Sequence, residues 1–169
     1  MHRDAARLAF VLTAALALAA VVVAALVLPD RVPTHFGPSG APDSWSSRTA
    51  AVTFLGAFTV GLAAMFAALA RWAPRMSLQW MNIPNKQQWI DAGLEDELRR
   101  RFRVDMLVFG AGMNVVALSV TAAMVQAAHS ASGGLPLWWF ILFGGWLLFT
   151  IGHVAFMYAV RYRLVPADR

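Results

Sequence analysis

Four long apolar stretches without Lys, Arg, Asp or Glu constrain this chain more than any other feature. They cover residues 8–28, 50–70, 106–128 and 137–160. Each has about the 20 residues that a helix needs to cross the hydrocarbon core of a bilayer. Lipid offers backbone N–H and C=O groups no partner, so such runs must be helical. The sequence therefore predicts an all-α integral membrane protein, with four transmembrane helices in a single domain over residues 1–169.

Composition agrees with this class and argues against enzymes. Hydrophobic residues make up 59% of the chain and charged residues 14%, whereas soluble domains are about half apolar and a quarter charged. The chain has no cysteine, which excludes disulfides, thiolate metal sites and a catalytic thiol. It also lacks a Gly-Lys-Ser/Thr phosphate loop, a His-Glu-x-x-His motif and a Gly-x-Ser-x-Gly motif. We therefore expect a non-enzymatic protein without a cofactor or a metal.

Basic residues are concentrated in the connections on one side of the four runs. That side carries Arg3, Arg7, Arg71, Arg75, Lys86, Arg99, Arg100, Arg101, Arg103, Arg161, Arg163 and Arg169. On the other side Arg31 and Arg48 are balanced by Asp30 and Asp43, and residues 129–136 contain neither Lys nor Arg. Short basic connections stay in the cytoplasm. Both termini are therefore expected to be cytoplasmic, and residues 29–49 to form an outer loop.

The net charge of +5 and the pI of about 11.0 could also suggest a nucleic-acid partner. However, the arginines cluster beside apolar runs rather than on a soluble basic face. We expect the bilayer itself as the partner, with anionic lipids at the cytoplasmic arginine cluster, where each basic residue gains about 1 kcal/mol near an anionic surface. No nucleic acid is expected, a peptide or protein partner is left open, and so is the oligomeric state.

The outer loop, residues 29–49, is rich in proline and glycine. Proline fixes φ and removes an N–H donor, and glycine allows positive φ, so we expect a compact, turn-rich cap and neither regular helix nor strand. Within it His35, Asp43 and Trp45 carry the chemistry. Three interpretations stay open: a rigid connector, a partner-binding surface, and a cation site shared by His35 and Asp43. A metal site normally needs three or four ligands, so the third interpretation has the least support.

Two motifs carry a resemblance to a known family. "LPDRVPTHFGPSGAPDSW" follows the first apolar run, and "MNIPNKQQW" follows the second. The first resembles the N-terminal module of bacterial SdpI-like membrane proteins, named after the immunity protein against the sporulation-delaying protein toxin. The second resembles an N-x-P-N-K-x-x-W segment of small relatives. The matching positions are Pro33, His35, Gly40, Asp43 and Trp45 outside, and Asn82, Pro84, Asn85, Lys86 and Trp89 inside.

The resemblance implies a bacterial cytoplasmic (inner) membrane protein that contains a domain of unknown function. The immunity protein itself is longer, and its further C-terminal membrane half has no counterpart here. An immunity or signalling role is therefore implied only weakly.

Between the second and third runs the sequence predicts a cytoplasmic helix over about residues 85–105. Asn85 is suited to cap its first turn, and apolar residues recur every four positions at Ile90, Leu94, Leu98 and Phe102. On the other face, residues four apart are expected to form the pairs Glu95–Arg99, Asp96–Arg100 and Glu97–Arg101. Asp105 is expected to pair with Arg101 or a neighbouring arginine.

Polar and aromatic residues inside or beside the apolar runs are the remaining candidate functional residues. His153 and Asn114 lie within apolar runs, where ionisable and polar side chains are costly and often functional. His153 is expected to hydrogen-bond to Asn114, Thr59 or a backbone carbonyl, or else to handle protons or a ligand. Aromatic rings favour the headgroup level, so Trp72, Trp80 and Tyr162 are expected at the inner interface.

Three functions follow from these observations. The first is a non-enzymatic membrane protein that binds a peptide, a toxin or another envelope ligand at the outer loop. The alternative is a small transporter or accessory subunit with a polar path through His153, Asn114 and Gln126. The third is a metal-dependent membrane enzyme at the outer loop, which would need a bound ion.

Overall fold

The computed structural model describes residues 3–164, so Arg169 and the other terminal positions of the predicted domain lie outside the described residues. The helices are α1 (Arg3–Val27), α2 (Arg48–Trp72), α3 (Lys86–Asp91), α4 (Glu95–His129) and α5 (Leu137–Phe156), and α5 continues as a π-helical turn over Met157–Arg161. Two strands, β1 (Arg31–Phe36) and β2 (Pro42–Ser47), lie between α1 and α2. Two short 3₁₀ turns, Ala73–Arg75 and Leu78–Trp80, follow α2.

The four long helices confirm the four predicted runs, because each is long and apolar enough to cross a membrane. Four such helices are those of a multi-pass membrane protein. The helix α4 is the centre of the bundle: α1 and α2 pack against it, and its buried face includes Leu107, Gly110 and Asn114. By contrast, no residue of α5 within Leu137–Phe156 is buried. The fourth helix is therefore the least buried of the four, although the ring of Trp146 packs closely against Gly112 of α4.

The bundle has two ends that differ in structure. We call residues 28–49 and 130–136 the hairpin end, and residues 73–94 with the described chain termini the linker end. At the hairpin end, Val32 packs into an apolar cluster with Leu28, Leu55 and Met124. At the linker end, Leu78, Met81, Trp89 and Leu98 form a second cluster with the last residues of the chain that the structure describes.

The expectation that the outer loop contains no strand was wrong. β1 and β2 form an antiparallel hairpin in which Pro33 lies opposite Trp45, with irregular register on both sides of His35. A two-stranded sheet consists only of edge strands, and an edge strand tolerates a residue without an N–H donor. Residues 37–41 make the turn, where Gly40 has a φ of +78° and its N–H bonds to the carbonyl of Gly37 at 2.9 Å.

The expectation of one continuous helix over residues 85–105 was also wrong. α3 ends at Asp91, and Gly93 adopts a φ of +67° before α4 begins at Glu95. A positive φ is available to glycine at little cost, so this residue allows the chain to change direction. Asn85 itself has a φ of +55° and makes no side-chain cap. Its predicted capping role was therefore wrong too.

Candidate functional site

An exposed contact between His35 and Asp43 is the main chemical feature of the hairpin. His35 Nδ1 lies 2.5 Å from Asp43 Oδ1, and the two side chains are 72% and 52% exposed. The guanidinium of Arg31 lies 5.1 Å from the ring centroid of Trp45 on the neighbouring strand. The hairpin thus presents a cation, an anion and an aromatic ring together on one small surface.

The tip of this hairpin contacts residues 130–136, the connection between α4 and α5. The N–H of Leu135 donates to the carbonyl of Gly40 at 3.0 Å. A Cβ atom at Gly133 would lie 3.0 Å from the ring of Pro42 and 3.4 Å from that of Trp45. At the base, Arg48 pairs with Asp30 at 2.8 Å. The hairpin is therefore fixed at its base and its tip, and its tip is joined to the residues that lead into α5.

The hairpin supplies too few ligands for a typical metal site. No group of three or more His, Cys, Asp or Glu side chains that could hold an ion occurs among residues 3–164. His35 Nδ1 and Asp43 Oδ1 contact each other instead, on an exposed surface. The arrangement is suited to recognising a partner through charge and aromatic contact.

A second polar site, which we call the Asp105 cluster, is centred on a buried carboxylate at the linker end. Its members are Trp89, Arg101, Asp105, His153, Arg161 and Tyr162. The Asp105 side chain is 2% exposed and lies 2.7 Å from the Nε of Arg161. The hydroxyl of Tyr162 donates a hydrogen bond to the same carboxylate. The expected pairing of Asp105 with Arg101 was wrong, because the carboxylate faces the end of the fourth helix.

Arg101 has other partners. It donates to Glu97 at 3.0 Å, which confirms one predicted i, i+4 pair, and to the carbonyl of Arg161. Its guanidinium also lies 4.7 Å from the ring centroid of Trp89. The other two predicted pairs were wrong, since Asp96 bonds to Arg99 and Glu97 to Arg100, three residues apart.

The motif MNIPNKQQW, residues 81–89, holds the end of α5 in place. The Nε1 of Trp89 donates to the carbonyl of Tyr162 at 2.9 Å, and the amide of Asn85 donates to the carbonyl of Tyr158 at 3.3 Å. Lys86 donates to the carbonyls of Leu78 and Met81 at 2.9 and 3.1 Å. Four C=O groups in turns thereby gain partners. Pro84 is buried, whereas Asn82 is exposed. The motif is therefore largely internal to the fold.

Tyr162, which the sequence predicts at the inner interface, belongs to this cluster. It is completely buried in the protein, so its ring packs on protein rather than on lipid. Burial, together with the nearby Asp105, raises the pKa of its phenol well above the usual range. The phenol therefore stays protonated and continues to donate to the carboxylate.

His153 does not have the partners expected for it. Its Nε2 lies 3.9 Å from Asp105 and has no hydrogen-bond partner in the described part of the chain. Its ring packs edge-on against Phe109, 5.0 Å between centroids, and stacks on Phe149 at 5.5 Å. Contacts with aromatic rings therefore position it, with the acid of the Asp105 cluster nearby.

The three residues of the suggested polar path lie in separate places. Asn114 donates to the carbonyl of Phe10 at 3.3 Å and to Thr13 at 3.4 Å on α1. Gln126 accepts from the Nε1 of Trp138 at 2.8 Å near the hairpin end. His153 lies beside Asp105 at the other end. The structure does not bring these side chains together.

Comparison with protein families finds a match over residues 12–60 to a domain of unknown function, DUF1648. The match covers most of α1, the hairpin and the first half of α2, and so includes all five hairpin positions of the first motif. No curated protein and no solved structure matches the chain. The chain is thus a membrane protein with a domain of unknown function centred on the hairpin.

Proposed function

We propose that this chain is a non-enzymatic membrane protein of the SdpI-like type that binds a peptide or another envelope ligand at its hairpin end. One observation carries the proposal: the exposed pair His35–Asp43 lies beside Trp45 on a hairpin that is fixed at both its base and its tip. A rigid surface loses little conformational entropy when it binds. Aromatic and charged side chains are the usual anchors of such binding.

A route for reporting ligand binding follows from how α5 is held. Gly40 bonds to Leu135 just before α5, while Trp89 and Asn85 bond to carbonyls at the other end of that helix. None of the residues from Leu137 to Phe156 is buried. A ligand that shifts the hairpin would therefore pull on the least packed of the four long helices. In the proposed orientation the hairpin is outside, and an immunity or signalling output would appear at the cytoplasmic linker end.

The test places a photoreactive amino acid at Ser44, an exposed position of β2 beside the pair. In native membranes we expect an adduct heavier than any lipid. Asp43→Asn should lower its yield about tenfold or more, because a hydrogen bond to a charged group contributes about 1.5–3 kcal/mol. Folding should not change, since the pair is exposed and such pairs contribute little to stability.

The matched control carries the same photoreactive residue at Ser77, an exposed position of the linker end. The proposed orientation predicts that the Ser77 chain does not yield the Ser44 adduct. Capture of lipid alone at Ser44, or an adduct that Asp43→Asn leaves at full yield, would refute ligand binding at the hairpin.

A further inference from the structure

Four arginines from three helices meet in a groove at the linker end. Arg3 and Arg7 of α1, Arg71 of α2 and Arg103 of α4 all line a cavity of about 380 Å³. The guanidinium of Arg103 is within electrostatic reach of the other three. Like charges repel one another at such distances. This arrangement is costly unless an anion offsets it.

No carboxylate among the described residues supplies that anion. None of the four arginines has an acidic partner within 4.0 Å among residues 3–164. The nearby acids on α4 are paired elsewhere, as the described contacts show: Asp96 with Arg99, Glu97 with Arg100 and Arg101, and Asp105 with Arg161. Asp4 lies in the first turn of α1, next to Arg3. Its side chain is exposed and forms no ion pair in the described chain.

Arg103 adds a second observation, because one of its donors is buried without a partner. Its Nε is shielded from solvent and forms no hydrogen bond within the described chain. A buried donor left unbonded costs free energy comparable to the loss of a hydrogen bond, and more when it is charged. The groove therefore contains four cations and an unused donor.

The rest of the groove is apolar. Below the arginines it is lined by Phe10, Val11, Ala67, Ala70 and Leu107. These residues lie within the bilayer-spanning parts of α1, α2 and α4. One end of the groove is therefore suited to an anionic group, and the other end to a hydrocarbon chain.

We propose that this groove is a binding site for one anionic phospholipid, with its phosphate held by Arg7, Arg71 and Arg103 and an acyl chain along the apolar wall. Guanidinium groups match phosphate oxygens in geometry as well as charge. Basic pockets between membrane helices are known to suit such headgroups. The site is distinct from the triplet Arg99–Arg101, whose members already bond to Asp96 and Glu97. It does not depend on a ligand at the hairpin.

The test titrates the detergent-solubilised full-length chain with phosphatidylglycerol and with phosphatidylcholine, and counts bound lipids by native mass spectrometry. We expect one phosphatidylglycerol to bind more tightly than all later ones, and phosphatidylcholine to show no such first site. Arg71→Gln should weaken the first site about tenfold, the loss expected for one charge-assisted contact. Arg71 is exposed on α2, so this change should leave folding intact. Arg103→Lys should also weaken it, because lysine keeps the charge and loses the planar fork.

The matched control is Arg75→Gln, which removes the same charge from an exposed residue at the same end of the molecule. It should leave the first phosphatidylglycerol site unchanged. Equal weakening by Arg75→Gln and Arg71→Gln would mean diffuse attraction to charge and would overturn the proposal. Displacement of the lipid by inorganic phosphate at the same affinity would overturn it as well, because the acyl chain would then contribute nothing.

Discussion

The Asp105→Ala chain is expected to lose about 3–5 kcal/mol of unfolding free energy, the cost of removing one partner from a buried ion pair. Asp105 is 2% exposed and is the only carboxylate bonded to Arg161 and Tyr162 in the described structure. Without it the guanidinium of Arg161, whose side chain is only 19% exposed, stays largely buried opposite a neutral side chain. The end of α5 should therefore detach from α4 before the rest of the bundle unfolds.

Titration of detergent micelles with sodium dodecyl sulfate, followed by tryptophan fluorescence, measures this loss. Asp91→Ala is the matched control, because Asp91 is exposed and bonds only to the neighbouring side chain of Gln87 at 2.7 Å within the described structure. It should change the unfolding free energy by less than about 0.5 kcal/mol. A double variant with Asp105→Ala and Arg161→Leu should recover part of the loss, since no charge is then left unpaired. Equal effects of Asp91→Ala and Asp105→Ala would contradict the role assigned to the Asp105 cluster.

Gly110→Ala is expected to destabilise the bundle by about 1–3 kcal/mol, the usual cost of overfilling a packed core. An added Cβ would lie 2.7 Å from the Cβ of Phe66 on α2 and 2.7 Å from the ring of Phe10 on α1. The Phe10 ring can rotate, but the Cβ of Phe66 moves only with its backbone. The substitution therefore separates α2 from α4, where small residues allow close approach of membrane helices.

Gly144→Ala makes the same chemical change where nothing lies within 4 Å of the added atom. Its unfolding free energy should be unchanged or raised by up to about 1 kcal/mol, because alanine favours helix more than glycine does. The same detergent titration compares the two chains. Similar stability of both would show that α2 and α4 are not packed as closely as the structure has them.

The membrane helices could be predicted from the sequence because an uncharged apolar run of bilayer length has only one stable conformation in lipid. The hairpin could not be predicted in this way. The rule that keeps proline out of strands applies to interior strands, and Pro33 lies in a hairpin that has only edges. The break at Gly93 was missed because the apolar stripe from Ile90 to Phe102 continues across it.

The residues of the candidate sites were easier to predict than the contacts that those residues make with one another. Spacing along one helix finds neighbours such as Glu97 and Arg101, and that prediction was confirmed. Arg161, however, lies 56 positions from Asp105, and only the packing of α5 against α4 brings them together. The residues of the hairpin motif could be singled out from the sequence, but the bond from Leu135 to Gly40 depends on a connection that has no motif of its own.

Cysteine accessibility most directly tests whether the four helices cross the membrane and place the hairpin end and the linker end on opposite sides of it. The chain has no cysteine, so Ser39→Cys at the hairpin turn and Ser77→Cys at the linker end each introduce a single, exposed thiol. In intact cells, a maleimide that cannot cross membranes should label Cys introduced at Ser39 and leave the Ser77 variant unlabelled until the cells are opened. Labelling of both variants in intact cells, or of the Ser77 variant alone, would contradict the proposed topology.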